Sequence, residues 1–374
     1  MRIVVLGGAG EVGAPLTRDL ASCGEVDELL VADINEAGAR ALAVELGGRA
    51  RAIALDVRDR AAAIEAVAGA DVLMNCTSFT LFDAVIDVAA AAGVQYADLL
   101  SEPTEAQRRR ARDAGITAVS GLGATPGLSN VLVRDAAGEL DELKEVHVSW
   151  VSFRTIAPAP GLLDTILWEL SEDCPTRLYY QNGRHVRAGF MEGSKVVEFA
   201  PPVGAQHVYY VPHTEVVTLP RHFPTLDFCA VRGAWRPELM EDVRVLNKYG
   251  LLEGAALEQT KARIWERFGG HRDAAPWTLF VNVEVVGIRG GEVVTRVYDV
   301  SHPLAWGQEG TGRMTGVCAA VGAQLLGRHG RAEPGFVDPE AYYDSGEYLA
   351  ELALRRSVDV AVSERPLQAI DRGG

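Results

Sequence analysis

Along the first 140 or so residues, short runs of aliphatic residues alternate with longer alanine-rich stretches. Arg2–Leu6, Glu28–Ala32, Arg51–Leu55, Asp71–Asn75, Gln95–Leu99 and Ile116–Ser120 read as buried strands. Glu11–Ala21, Glu36–Leu46, Arg60–Ala68, Leu81–Ala92 and Thr104–Ala114 have helical spacing between them. Continuous apolar strands separated by helices predict a parallel sheet covered on both faces. Six strands in that order make a doubly wound sheet. From about residue 144 the pattern changes to longer, more aromatic strands with turn signals between them. These are Glu145–Phe153, Arg177–Tyr180, Lys195–Phe199, His207–Val211, Leu226–Arg232, Trp277–Val286 and Gly291–Val300, with helices at Trp235–Tyr249 and Leu257–Phe268. Thr311–Arg328 then reads as one long helix returning to the first domain.

The expected fold class is therefore α/β: a Rossmann doubly wound parallel sheet plus an inserted α+β domain with a mostly antiparallel sheet. The expected domains are 1–140 with 303–335, 141–302, and 336–374 as a C-terminal helical tail. A chain of 374 residues with 48% hydrophobic residues suits two such cores. The net charge of −15 disfavours nucleic acid and anionic membranes as partners. Five scattered cysteines show neither a disulfide framework nor metal-ligand spacing, so no metal is expected. Neither a signal-peptide pattern nor an 18-residue apolar run is seen, which makes the cytoplasm the expected compartment.

The strongest chemical signal is a glycine-rich turn, Gly8-Ala9-Gly10-Glu11-Val12-Gly13, between the first strand and the first helix. Gly8 permits the tight turn, Gly10 admits a pyrophosphate against the backbone, and Gly13 lets the helix pack closely. The helix N-terminus then offers free N–H groups to phosphate. Asp33 ends the second strand, where an acid receives the ribose 2′-hydroxyl. Ile34 and Asn35 beside it supply no cation for a 2′-phosphate, so NAD is expected over NADP. Asp56 and Val57 after the third strand are placed near the adenine. Asn75, Thr77 and Ser78 after the fourth are placed near the nicotinamide.

No tyrosine stands four residues before a lysine, which excludes the short-chain dehydrogenase pattern, and no zinc-ligand cluster exists. The segments Gln95-Tyr96-Ala97-Asp98-Leu99 and Gly121-Leu122-Gly123-Ala124-Thr125-Pro126-Gly127-Leu128 resemble the saccharopine dehydrogenase-like family. Within it, the chain is most similar to the lysine 6-dehydrogenases and related amine dehydrogenases. The resemblance runs from Met1 to about Asn130. It continues more loosely through Pro212-His213-Thr214-Glu215 and Thr218-Leu219-Pro220-Arg221. It implies a Rossmann domain, an inserted substrate and dimerisation domain, a homodimer, and hydride transfer at a carbon–nitrogen bond.

Thr125 and Pro126 suit an N-cap and first helical position, so the sequence predicts a helix start there, with Gly123 and Gly127 beside it, whose positive end holds a substrate carboxylate or the nicotinamide carboxamide; the resemblance favours a substrate site. Amine oxidation needs a proton acceptor. Asp98, His302 and Tyr298 are the candidates, with His213 another. Arg154 and Arg221 are candidate cations for a substrate carboxylate. Two other readings stand beside the dehydrogenase: an imine reductase that joins an amine to a carbonyl compound, and an NAD-binding scaffold or sensor without turnover.

Overall fold

The computed structural model describes residues 1–99, 102–172, 174–271, 278–331 and 333–366. The chain divides into two units. The first comprises Met1–Val131 and Gly312–Arg356, the second Leu132–Thr311 and Ser357–Gly374.

In the first unit β1 (Arg2–Leu6), β2 (Glu28–Asp33), β3 (Ala50–Ala54), β4 (Val72–Asn75), β5 (Gln95–Asp98) and β6 (Thr117–Val119) alternate with α1 (Gly13–Ser22), α2 (Glu36–Leu46), α3 (Arg60–Val67), α4 (Phe82–Ala92) and α5 (Glu105–Asp113). α6 (Leu128–Ala137) then crosses into the second unit. Side-chain caps set the helix starts: Asn35 accepts from Gly38 N, and Thr104 with Gln107 forms a reciprocal capping box. All strands are parallel, including the short β15 (Gly335–Val337), in the order β15-β6-β5-β4-β1-β2-β3. The order reverses between β1 and β4, which is where a doubly wound sheet opens a crevice for ligand.

The long α11 (Gly310–His329) returns to this unit, as its spacing predicts. Its glycines allow backbone contact: a Cβ on Gly312 would lie 2.6 Å from Glu11 O, and one on Gly316 would lie 2.8 Å from Leu16 N. α11 therefore packs directly against the glycine-rich loop and α1. The stretch read as a helical tail proves mixed. It holds the end of β15, then α12 (Pro339–Tyr342), α13 (Ser345–Arg355) and β16 (Asp359–Pro366). β16 adds to the second unit's sheet, where its alternating pattern finds a partner strand.

The second unit is built on β7 (Glu142–Ser152), α7 (Pro160–Leu170), β8 (Leu178–Gln181), β9 (Arg184–Arg187), β10 (Lys195–Phe199), β11 (Gly204–Tyr210), α8 (Glu215–His222), β12 (Phe228–Trp235), α9 (Pro237–Lys248), α10 (Gly254–Phe268), β13 (Leu279–Arg289) and β14 (Glu292–Ser301). Its sheet runs β10-β11-β12-β7-β13-β14-β16, with β8 on β12 and β9 on β8. Among the described residues only β12 with β7 is a parallel pair, so the sheet is mostly antiparallel as expected. The apolar spacing of α7 and α8 sits among strand-like neighbours and does not mark them in the sequence. Trp277, the expected first residue of one strand, lies outside the described residues.

Candidate active site

The glycine-rich loop closes on itself through backbone contacts. Gly7 has φ +71° and touches the loop after β4: a Cβ there would meet Cys76 O at 2.7 Å. A Cβ on Gly13 would lie 2.0 Å from Gly7 O, so α1 starts flush against the turn. Gly10 is exposed, and a Cβ there would meet only Gly7 O, at 3.1 Å. The outer side of the loop is thus bare backbone. α1 begins with no side-chain cap and no acid in its first turn, so its positive end is not neutralised by a side chain from its own first turn. Asp33 is tied into the same structure: Oδ2 accepts from Ala9 N at 3.0 Å and Oδ1 from Asn35 N at 2.9 Å. Each oxygen keeps a further lone pair. Backbone N–H groups, a helix N-terminus and an acid at the end of β2 fit a dinucleotide with a free ribose hydroxyl.

Of the other residues expected to touch cofactor, Ile34 is 68% exposed beside Asp33. Val57 is buried in the apolar core with Val4, Leu30 and Leu73. Asp56 is paired with Arg58 at 2.6 Å, and that guanidinium pulls its carboxyl down to about 2. Ser78 is exposed, as is Phe79 after it, an apolar residue that strand patterning gave no reason to pick out.

Asn75, Tyr96 and Asp98 form a buried chain across the ends of β4 and β5 that reaches Ser120 beyond β6. Asn75 Oδ1 accepts from Thr77 N and from the Thr77 hydroxyl at 2.7 Å. Asn75 Nδ2 donates to Tyr96 Oη at 3.1 Å, and the phenol in turn bonds the Asp98 carboxylate. Asp98 Oδ1 also accepts from the Ser120 hydroxyl at 2.7 Å and from Gly121 N at 3.2 Å. Burial, with the Asp98 charge adding to it, raises the Tyr96 phenol far above its ordinary value.

Beyond β6 the helix does not begin at Thr125 and Pro126 as expected. The Thr125–Pro126 peptide is cis, Gly127 takes φ +120°, and Gly123 and Gly127 bridge to each other. The turn closes on itself, so the helix starts only at Leu128. Its first turn is satisfied differently, by Asn130 Oδ1 accepting from Gly127 N at 2.9 Å. Asn130 is in turn held by Glu340 Oε2 at 2.9 Å, a carboxylate that is 1% exposed. Glu340 stands 210 residues away in sequence, and no local pattern marks it.

In the second unit His302 and Tyr298 are both committed to internal bonds. Leu279 N–H donates to His302 Nε2 at 3.3 Å, so the ring proton sits on Nδ1 and faces Pro303 O at 3.0 Å. Trp306 stacks on the ring at 5.3 Å. Tyr298 donates to Asp135 at 2.6 Å, and burial together with that carboxylate raises its phenol well above the ordinary range.

His213 has a different setting. It is buried, stacks on Trp150 at 5.7 Å, and has Nδ1 3.6 Å from Glu215 Oε2. Burial alone would lower its pKa. The Glu215 and Glu169 carboxylates outweigh that and raise it. Burial raises Glu169 above the usual carboxylate range, while His213, Arg154 and Arg177 pull it back. Arg154, just past β7, is part of this charged group. Arg221 lies exposed in the last turn of α8.

Fold and cradle define the first unit as a Rossmann dinucleotide-binding domain. Residues 3–119 match the family model of the saccharopine dehydrogenase NADP binding domain. The Gly121–Gly127 motif falls just beyond the match. Saccharopine dehydrogenase (L-Glu forming) from Saccharomyces cerevisiae has a similar structure, with TM-score 0.72 and 17% identity over 97% of this chain and 99% of that one. Homospermidine synthase from Legionella pneumophila, solved in complex with NAD, aligns at TM-score 0.63 and 16% identity over 100% of this chain and 93% of that one. At such identities these likenesses establish the fold. Among the described residues, no helix is long and apolar enough to cross a membrane.

Proposed function

We propose that the protein is an NAD-dependent dehydrogenase that acts at a carbon–nitrogen bond of a lysine-like amine or amino acid. The observation that carries this reading is the cradle in the first unit: bare backbone at Gly10, an α1 N-terminus with no acid in its first turn, and Asp33 tethered to Ala9. A nicotinamide dinucleotide bound there supplies the hydride acceptor. Gly8, Gly10, Glu11, Val12 and Gly13 would hold the pyrophosphate, with Asp33 on the ribose and exposed Ile34 against the adenine. Arg58, the cation after β3, is engaged by Asp56, which supports NAD over NADP. Val57 is left out of the cofactor site because its side chain is in the core.

Asn75, Thr77 and Asp98 fix the loops at the nicotinamide end. With three donors already on the Asp98 carboxylate, its role is to position Gly121 and the turn that follows. His302 and Tyr298 have their polar atoms bound within the second unit and serve structure. His213 is the better proton carrier, since it titrates between two acids. Arg154 would pair with a substrate carboxylate. The names of the two structural relatives, one forming L-Glu and one making homospermidine, support chemistry at an amine. The second also favours the imine reductase as an alternative direction for the same site.

The test is absorbance at the reduced-nicotinamide band with NAD or NADP and a panel of amino acids and diamines, run in both directions with keto acids added. Turnover with NAD and one amine is the expected result. Turnover only with NADP overturns the assignment of Asp33. Tight NAD binding without turnover of any pair leaves the scaffold. The homodimer belongs to the same proposal and is read by light scattering.

A further inference from the structure

The buried chain across the ends of β4 and β5 has a direction, and one unambiguous donor fixes it. Asn75 Oδ1 accepts from the backbone N–H of Thr77 at 3.0 Å, so the other side of that amide is the donor Nδ2, which faces Tyr96 Oη at 3.1 Å. The Tyr96 hydroxyl accepts there and has one proton, which goes to the Asp98 carboxylate. The Thr77 hydroxyl also lies on Asn75 Oδ1, at 2.7 Å. A carbonyl oxygen only accepts, so Thr77 donates its single proton inward. Each link from Thr77 to Asp98 therefore donates in the same sense. Asn75 and Asp98 are fully buried and Tyr96 nearly so, which keeps bulk water from resetting the chain.

The consequence falls on Thr77, which is half-buried beside the cradle: a Cβ on Gly7 would lie 3.1 Å from Thr77 N. With its proton committed to Asn75, the Thr77 hydroxyl has only lone pairs to offer a ligand. Packing alone needs a ring at position 96, which meets Phe336 edge-on at 5.9 Å; it does not need a buried hydroxyl there. The Tyr96 hydroxyl serves polarity. A threonine is ordinarily indifferent and gives or accepts as its partner demands. One held as an acceptor selects only among groups that cannot do both. A dinucleotide on the cradle carries such a group at its nicotinamide end, a carboxamide whose NH2 donates and whose carbonyl accepts. Its ribose hydroxyls do both.

We propose that Thr77 Oγ1 accepts from the carboxamide NH2 of a bound nicotinamide, and that Tyr96 is the positioning residue that fixes this polarity through Asn75. The inference rests on the dinucleotide part of the reading above and needs no particular substrate. It makes the loop after β4 selective for an amide at that end of the cofactor. An acetyl group in its place puts a methyl where the NH2 stood and loses the bond. Sites built to bond a polar group reject analogues that lack it.

The experiment is calorimetric titration of the full-length protein, without substrate, using NADH, the reduced form of 3-acetylpyridine adenine dinucleotide, and ADP-ribose. The wild type should bind NADH roughly tenfold more tightly than the acetyl analogue. Tyr96→Phe should bring that ratio toward one and leave its ADP-ribose affinity at the wild-type value. Thr77→Val should lose the ratio too, whereas Thr77→Ser, which keeps the hydroxyl, should retain it. Thr77 is half-buried, so its two variants carry the test even if Tyr96→Phe does not fold. A wild-type ratio near one, or a ratio intact in Thr77→Val, overturns the proposal, and ADP-ribose binding then keeps the cofactor reading. A ratio lost in Thr77→Val but kept in a folded Tyr96→Phe overturns the role of Tyr96. Failure of both NADH and ADP-ribose to bind overturns the inference and the cofactor reading together.

Discussion

The cradle in the first unit and the charged cluster in the second are made of different materials. The cradle is main chain: Gly7, Gly8, Gly10 and Gly13 within seven residues, fixed by one carboxylate at the end of β2. Its tolerance is set by atoms that cannot move, since the neighbours of a Cβ at Gly7 or Gly13 are backbone. The cluster is side chain. His213, Glu215, Glu169, Trp150, Arg154 and Trp235 come from α7, α8 and the ends of β7, β11 and β12, and each is placed by packing against the others. Backbone sites are rigid and fail abruptly, whereas side-chain clusters adjust and are governed by charge.

The sharpest way to break that contrast is Gly13→Ala. With Gly7 O only 2.0 Å from the new Cβ, the loop and α1 must part. Stability should fall by about 3 kcal/mol or more, as for severe overpacking. NAD affinity should drop at least ~100-fold. Urea unfolding and a fluorescence titration with NADH check the two.

The second unit should show its dependence on charge in acid. His147 is fully buried between Arg232, which donates to Nδ1 at 3.3 Å, and Glu145, which accepts from Nε2 at 3.1 Å. Burial, the largest influence, holds its pKa down at about 4. Between that value and the ordinary 6.5, the unfolded chain takes up a proton that the folded chain refuses. Stability from this residue is therefore lost as pH falls through that window, by roughly 3 kcal/mol in total. Denaturant midpoints from pH 7 to 4, with His147→Gln as the comparison, should show the slope shrinking in the variant.

Gly233→Ala is the second unit's counterpart to Gly13→Ala. Its new Cβ meets the Trp150 indole, which has some freedom to tilt, so the expected loss is smaller, about 2 kcal/mol. NAD binding should be unchanged, and tryptophan fluorescence should report the displaced ring. If NAD affinity fell as well, the separation between the two sites would not hold.

Within the first unit, Asn130→Ala removes the bond to Gly127 N and leaves the buried Glu340 without that donor. The expected cost is roughly 1–2 kcal/mol. Glu340→Gln keeps the shape and should cost less. The smallest effect belongs to Thr104→Ala, which opens the capping box of α5 for about 1 kcal/mol and should leave both sites untouched. A thermal melt of each variant orders them.

These expectations follow what was and was not legible in the chain. Gly8, Gly10, Gly13 and Asp33 could be found because strand, turn, helix and acid are neighbours in sequence, and the structure keeps them neighbours. The start of α6 could not be read. Thr125 and Pro126 satisfy the rules for a helix cap, but Gly123 and Gly127 bridge to each other and the helix starts at Leu128. The partners of Asp98, His302 and Tyr298 could not be read either, because a sequence shows a polar group without its partners. Ser120, Leu279 and Asp135, which bind them, lie 22, 23 and 163 residues away.

Local order determined the alternation of strands and helices, the parallel sheet of the first unit, the change to antiparallel strands and the glycine cradle. Each rests on periodicity or on a conformation that few residues adopt. Tertiary structure decided which polar groups are spent on the fold and which are held ready. Glu340 reaches Asn130, Trp150 fills the space over Gly233, and Glu169 joins His213 only when distant segments pack. Burial there changes what a carboxyl or an imidazole can do, and burial is a property of the folded chain alone.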